Sequence, residues 1–207
     1  MRCYASVIAG LSIVGFFCCA TGHAAIVDLP LNRCLSGKLK AVGQSGGRRA
    51  KCVAKDAATP SATDLAACMM KAEDKFEGGA APSKGAFEKL ETRYPMADPA
   101  ACRSFDDTAA HNSALTAHIN SLTTAVGSNP AGSRCNAAKI KCVGKYLAGM
   151  LGCYARTARR TGTIDAVCTA KQSGKLADGK NGCLDRAASG DDCTNPGSQA
   201  SALKATT

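Results

Sequence analysis

The sequence predicts an all-α protein built as two tandem, disulfide-stapled antiparallel helical-hairpin units. Three observations point there. Cysteine is abundant, 13 in 207 residues, while aromatic residues reach only 4% and Trp is absent. That balance is poor material for a β-sandwich core, or for a platform that stacks bases or sugars. Apolar residues recur at helical spacing along stretches free of proline, and much of the sequence is written twice. The 45% apolar and 20% charged fractions suit a packed chain rather than a disordered one.

The duplication shows when the chain is shifted by 101 residues. Arg33, Cys34, Lys38, Lys40, Val42 and Gly43 then fall on Arg134, Cys135, Lys139, Lys141, Val143 and Gly144, and Cys52 and Ala54 on Cys153 and Ala155. After a one-residue slip, Cys68, Lys71, Lys75 and Gly79 meet Cys168, Lys171, Lys175 and Gly179. Charge, glycine and cysteine agree together over this span, which marks a repeated unit. The organisation expected is unit 1 over residues 28–127, with an extra C-terminal helix, and unit 2 over 131–195. Gly127–Gly132 is a linker by composition, and 196–207 forms a polar, disordered tail.

The elements run in order along the chain. Arg2 opens a basic start, Tyr4–Ala20 is apolar or small, and Ala24 closes a small-residue cleavage site. Residues 1–24 therefore have the layout of a secretory signal peptide. Two other fates stay open: retention of the run to Val27 as an anchor, and lipidation at Cys18 or Cys19. The first hairpin breaks at Thr59-Pro60-Ser61, with Ser61 or Thr63 capping its second helix. Pro82-Ser83 starts a short helix to Glu91, and Pro95 and Pro99 break the stretch beyond it. Phe105 to Val126 reads as a helix carrying Leu115, Ile119, Leu122 and Val126 at helical spacing. Residues 135–158 read as another, through Ile140, Val143, Leu147, Met150, Leu151 and Tyr154. It should stop near Arg160-Thr161-Gly162, and Thr163 can cap a final helix to about Asp178.

The hairpins dictate the crosslinks. Cleavage after Ala24 removes Cys3, Cys18 and Cys19 and leaves ten cysteines, an even number that reads as five disulfides in a secreted or periplasmic protein. Cys135, Cys142 and Cys153 are 7 and 11 residues apart, so they share one helical stripe within about 20°. Cys153 and Cys168 flank the turn at similar distances and should face each other, as should Cys52 and Cys68. Nesting outward pairs Cys142 with Cys183, Cys135 with Cys193 and, across a longer insert, Cys34 with Cys102. The first unit lacks both partners of the Cys142–Cys183 bridge: Ala41 and the region of Ser83 stand in their places. Stapling has a physical motive. Gly174, Gly179 and Gly182 each cost a helix about 1 kcal/mol relative to Ala, whereas closing a loop of about 15 residues returns about 3 kcal/mol.

With its Lys-rich helix, cysteine, turn and Lys71-Ala72-Glu73-Asp74-Lys75-Phe76 segment, the chain resembles secreted Cys-rich helical-repeat proteins of myxobacterial and deltaproteobacterial type. The resemblance covers Cys34 to Val126 and Cys135 to Cys193. It implies export and a helical repeat, and it carries no catalytic residue across.

Catalytic constellations are hard to find. The sequence holds no CxxC, CxxCH, HExxH, P-loop or GxGxxG. His111 and His118 are seven residues apart, about 10.5 Å along a helix, too far to hold one metal together. Asp107 and His111, an i,i+4 pair, offer a weak metal site to which His118 is a neighbour. The carboxylates Asp64, Glu73, Asp74, Glu77, Glu88 and Glu91 alternate with lysine and read as a solvated face. No enzyme and no cofactor are expected. Charge is the remaining lead, since residues 131–207 carry 12 Lys or Arg against 5 acids. Lys139, Lys141, Lys145, Arg156, Arg159, Arg160, Lys171 and Lys175 form the candidate polyanion-binding set. The expected role is a non-enzymatic module that meets a protein or an anionic envelope component, or associates with itself. Specific nucleic-acid binding and stable membrane insertion after cleavage are not expected. The alternative is a periplasmic metal- or small-ligand-binding protein using His111 and His118.

Overall fold

The computed structural model describes residues 31–96, 101–126, 133–177, 182–189 and 193. The expected signal peptide, the 127–132 linker and the 196–207 tail lie outside the described residues. Among the described residues there are seven α-helices and no strand: α1 (Arg33–Ala58), α2 (Ala62–Glu77), α3 (Ala86–Arg93), α4 (Thr108–Val126), α5 (Arg134–Arg160), α6 (Ala166–Ala177) and α7 (Cys183–Ala188). No helix among them is long and apolar enough to cross a membrane.

The two long helices start alike. Asn32 caps α1 by accepting from the Leu35 amide, and Ser133 caps α5 by accepting from Asn136. These caps are 101 positions apart, and each satisfies one of the orphan N–H groups of a first turn. α5 ends where the sequence predicts: the amides of Thr161 and Gly162 both reach the Thr157 carbonyl, and Gly162 turns out at φ +74°. Gly78, at φ +95°, closes α2 in the same way through Asp74.

Three expectations are corrected locally. α6 is capped by the Asp165 carboxylate, which accepts from the Cys168 amide at 3.0 Å, rather than by Thr163. Carboxylate is the stronger acceptor at the positive end of a helix. The segment expected as one short helix from Pro82 splits at Gly85 into a single 3-10 turn, Pro82–Lys84, and α3. Gly85 is extended there, and a Cβ on it would lie 2.6 Å from the Glu77 carbonyl oxygen. α4 starts at Thr108, not Phe105, because Asp106 adopts a left-handed turn at φ 56°. Ser61, one of the two offered caps, does cap α2.

α1 packs antiparallel against α5. The Asn32 amide donates to the Ala158 carbonyl at 2.7 Å and the Ser36 hydroxyl to that of Ala155 at 2.6 Å; further along, Gly43 faces Ala148 and Leu151, and Gly47 faces Gly144 and Ala148. The contacts come in matched sets. Gly43 against Leu151 is repeated by Gly144 against Ala50, each partner displaced by 101 residues, and Gly46 against Leu147 maps onto itself. The long helices therefore cross about a local two-fold axis through Gly46 and Leu147. Small residues let the backbones approach closely, at the expense of bulky side chains to bury.

Two apolar clusters flank this seam. One gathers Val42, Phe76, Phe87 and Leu115; the other gathers Ala50, Ala54, Ile119, Ile140, Val143, Leu176 and Leu184. α4 feeds both, through Leu115 and Ile119. The second cluster mixes residues of α1 and α4 with residues of α5, α6 and α7, so the early and late helices share a core rather than stand apart as beads.

Candidate functional site

The five expected disulfides are the five that form: Cys34–Cys102, Cys52–Cys68, Cys135–Cys193, Cys142–Cys183 and Cys153–Cys168. They close loops of 68, 16, 58, 41 and 15 residues. Each described cysteine is thereby a crosslink, and none is a thiol.

The polyanion set divides. Lys141, Lys145, Arg156, Arg159, Arg160, Lys171 and Lys175 are exposed, and none forms an ion pair with a described residue. At about 100° per residue, the five on α5 fall within an arc of about 100° and run about 28 Å along the helix. Gly144, Ala148, Leu151 and Ala155 occupy another side, against α1. Arg159 and Arg160 also offset the negative end of the α5 dipole. Lys139 does not belong to this face. It is 2% exposed, and burial lowers its pKa.

Lys38, 101 residues earlier, is buried as well, and its surroundings overturn the reading of Asp107, His111 and Glu91. The Lys38 ammonium donates to Glu91 Oε1 and Asp107 Oδ1, both at 2.6 Å, and to the Ser104 carbonyl at 2.9 Å. It also stands 4.8 Å from the centre of the Phe87 ring. Ser104 donates to the second Asp107 oxygen at 2.5 Å, and the left-handed turn at Asp106 brings its amide to Glu91 at 3.3 Å. Burial pushes the Asp107 carboxyl up, yet hydrogen bonds from Lys38 and Ser104, with the charges of Lys38 and His111, hold it below its ordinary value.

His111 is buried edge-on against Phe87, its Nε2 3.3 Å from Asp107. The proposed metal pair is thus already occupied by a lysine, the charge-balancing cation of the site. His118 lies one to two turns further along α4, where burial lowers its pKa. Among the described residues, no three His, Cys, Asp or Glu side chains gather in a way that could hold a metal ion. Glu91 leaves the solvated carboxylate face altogether.

Arg49 is a third buried cation, one that the sequence pattern does not announce. It is fully buried, donating to the Thr116 hydroxyl at 2.6 Å and to the Asn112 side chain, with Glu73 at 3.8 Å. Burial lowers its pKa while Glu73 and Glu77 raise it. One signal for Lys38 and Lys139 is present in the sequence. Each stands four residues after a half-cystine, about 40° round the helix and so on its inward side. Arg49 carries no such mark.

Fold and site together define a disulfide-clamped, all-helical module with buried ion pairs at its centre. Comparison with protein families, curated proteins and solved structures gives no match.

Proposed function

We propose that this chain is an exported, internally duplicated binding module of the secreted Cys-rich helical-repeat type. It acts without catalysis, by presenting a basic face to an anionic component of the cell surface or envelope. The observation that carries the reading is the α5 stripe of Lys141, Lys145, Arg156, Arg159 and Arg160. Its charges are exposed, without ion pairs among the described residues, and mounted on a helix fixed by three disulfides. A rigid rod of cations loses little side-chain and backbone freedom when it meets a polyanion. Five crosslinks suit an oxidising compartment, where a cytosolic reductant would not open them. Self-association through the repeated unit is the second form of the same reading.

Co-sedimentation of the oxidised protein with vesicles tests it. Binding to vesicles rich in anionic phospholipid should be strong at low salt, fall steeply as salt rises, and be absent on zwitterionic vesicles. Each cation near an anionic surface contributes about 1 kcal/mol. Reversing Arg156, Arg159 and Arg160 to Glu should therefore weaken binding by about a hundredfold or more. A monodisperse monomer with no salt-sensitive binding refutes both forms.

A further inference from the structure

A cleft of about 300 Å³ opens on the side of the molecule where α1, α2 and α3 meet. Four cations line it: Arg48 from α1, Lys75 from α2, Lys84 from the 3-10 turn and Lys89 from α3. No carboxylate lines it, and none of the four makes an ion pair with a described residue. The same helices carry Glu73, Asp74, Glu77, Glu88 and Glu91, so acids were at hand and are directed elsewhere. Glu91 holds Lys38, Glu88 accepts from the Thr108 hydroxyl at 2.9 Å, and Glu73 lies toward Arg49.

The cleft has a firm floor. Phe76, fully buried, packs edge-on against Phe87 with centroids 5.0 Å apart. The inner wall includes Ser45, 1% exposed, whose hydroxyl has no hydrogen-bond partner. A helical serine usually returns its hydroxyl to a carbonyl one turn back, and an unpartnered buried hydroxyl is a group that a ligand oxygen would satisfy. Gln44 adds an amide at the rim.

We infer that this cleft binds a small anion bearing two or more phosphates, gripped by Arg48, Lys75, Lys84 and Lys89. Four like charges drawn to one concavity repel one another, and a multiply charged anion relieves that repulsion as it binds. Arg48 supplies a planar fork for phosphate oxygens, while the lysines act as point charges. The volume sits at the lower bound of small-molecule sites, which suits one phosphorylated sugar-sized group rather than a polymer. The second hairpin offers no equivalent. Gly149 stands where Arg48 is repeated, and Lys84 and Lys89 belong to the insert that only the first unit carries. The site is therefore separate from the α5 stripe.

Calorimetric titration of the oxidised protein with inorganic tripolyphosphate tests this, beside sedimentation with vesicles carrying a bisphosphorylated glycolipid. Saturable one-to-one binding of either probe is expected. Binding of both assigns recognition to the phosphates themselves, and binding of the vesicles alone, kept in the Arg156, Arg159 and Arg160 reversals and lost in K84A/K89A, assigns it to a lipid headgroup. Lys84→Ala with Lys89→Ala should weaken binding about tenfold or more. Both lysines are exposed, so the fold should persist, checked by helical circular dichroism and five intact disulfides by mass. The Arg156, Arg159 and Arg160 reversals should leave tripolyphosphate affinity unchanged. Absence of binding, or binding lost in those reversals and kept in K84A/K89A, overturns the assignment. Loss of the α5 stripe's vesicle binding alone leaves it standing.

Discussion

Gly144 and Gly152 lie about two turns apart on α5, and an alanine at each meets different surroundings. A Cβ at Gly152 has nothing within 4 Å, whereas one at Gly144 would lie 2.3 Å from the Ala50 Cβ on α1. In open space, Gly→Ala inside a helix gains about 1 kcal/mol from backbone entropy and propensity. Gly152→Ala should therefore stabilise by that amount. Carbon atoms pack at about 3.5–4.0 Å, so Gly144→Ala forces the two long helices apart by more than about 1 Å at their closest approach. Overpacking of that kind costs about 1–3 kcal/mol. With the propensity gain subtracted, the variant ends about 1 kcal/mol below wild type, and the two variants differ by about 2 kcal/mol. For a chain of this size that is roughly 4–8 °C in Tm. Guanidinium unfolding of the oxidised proteins measures it as a shift in midpoint at constant slope. Gly174→Ala, also unobstructed, serves as a second control. Should Gly144→Ala prove as stable as Gly152→Ala, the close α1–α5 seam is not what holds the halves together.

The buried charges and the crosslinks carry the remaining outcomes. Lys38→Met leaves Glu91 and Asp107 facing each other without their cation, and should cost about 3 kcal/mol at neutral pH; adding Glu91→Gln and Asp107→Asn should recover much of it, and a fully stable K38M would show that the cluster contributes nothing. Because the folded Asp107 pKa lies below its ordinary 3.8, its contribution is complete above that value and drains away as pH falls through the lower folded pKa. The K38M variant should therefore lose stability less steeply than wild type on acidification. Replacing Cys142 and Cys183 by Ala opens a 41-residue loop and should cost about 4 kcal/mol, against about 3 kcal/mol for the 15-residue Cys153–Cys168 loop. In protein isolated from its native source without reductant, none of the ten paired cysteines should titrate before reduction, and several reactive thiols would undo the scaffold.

The crosslinks were legible because they depend on short-range geometry. Spacing of 7 and 11 residues fixes the phase of Cys135, Cys142 and Cys153 on one helix, and the turn positions their partners opposite. Helix phase is a local property, so it survives any arrangement of the rest. The exposure of the basic set was mostly legible for the same reason: seven of the eight candidate residues are exposed, and the phase that failed belongs to Lys139. Composition marked that lysine as a surface charge, while its place four residues after Cys135 turned it inward.

The sequence by itself determined a set of helices, their phases, and the cysteines that lock them into hairpins. Tertiary structure alone decided how the hairpins meet. The Gly43, Gly47 and Gly144 seam brings α1 and α5 within backbone reach, and this contact spans about a hundred residues of chain. It also decided that Lys38 finds Glu91, 53 residues away, and Asp107, 69 away. Arg48, Lys75, Lys84 and Lys89 converge on one cleft for the same reason. Such juxtapositions leave no periodic trace, because each residue's local pattern is satisfied equally well with its partner near or far. Only when the helices cross does the low-dielectric interior force each buried charge to find an opposite, and leave a group of unbalanced ones facing the solvent.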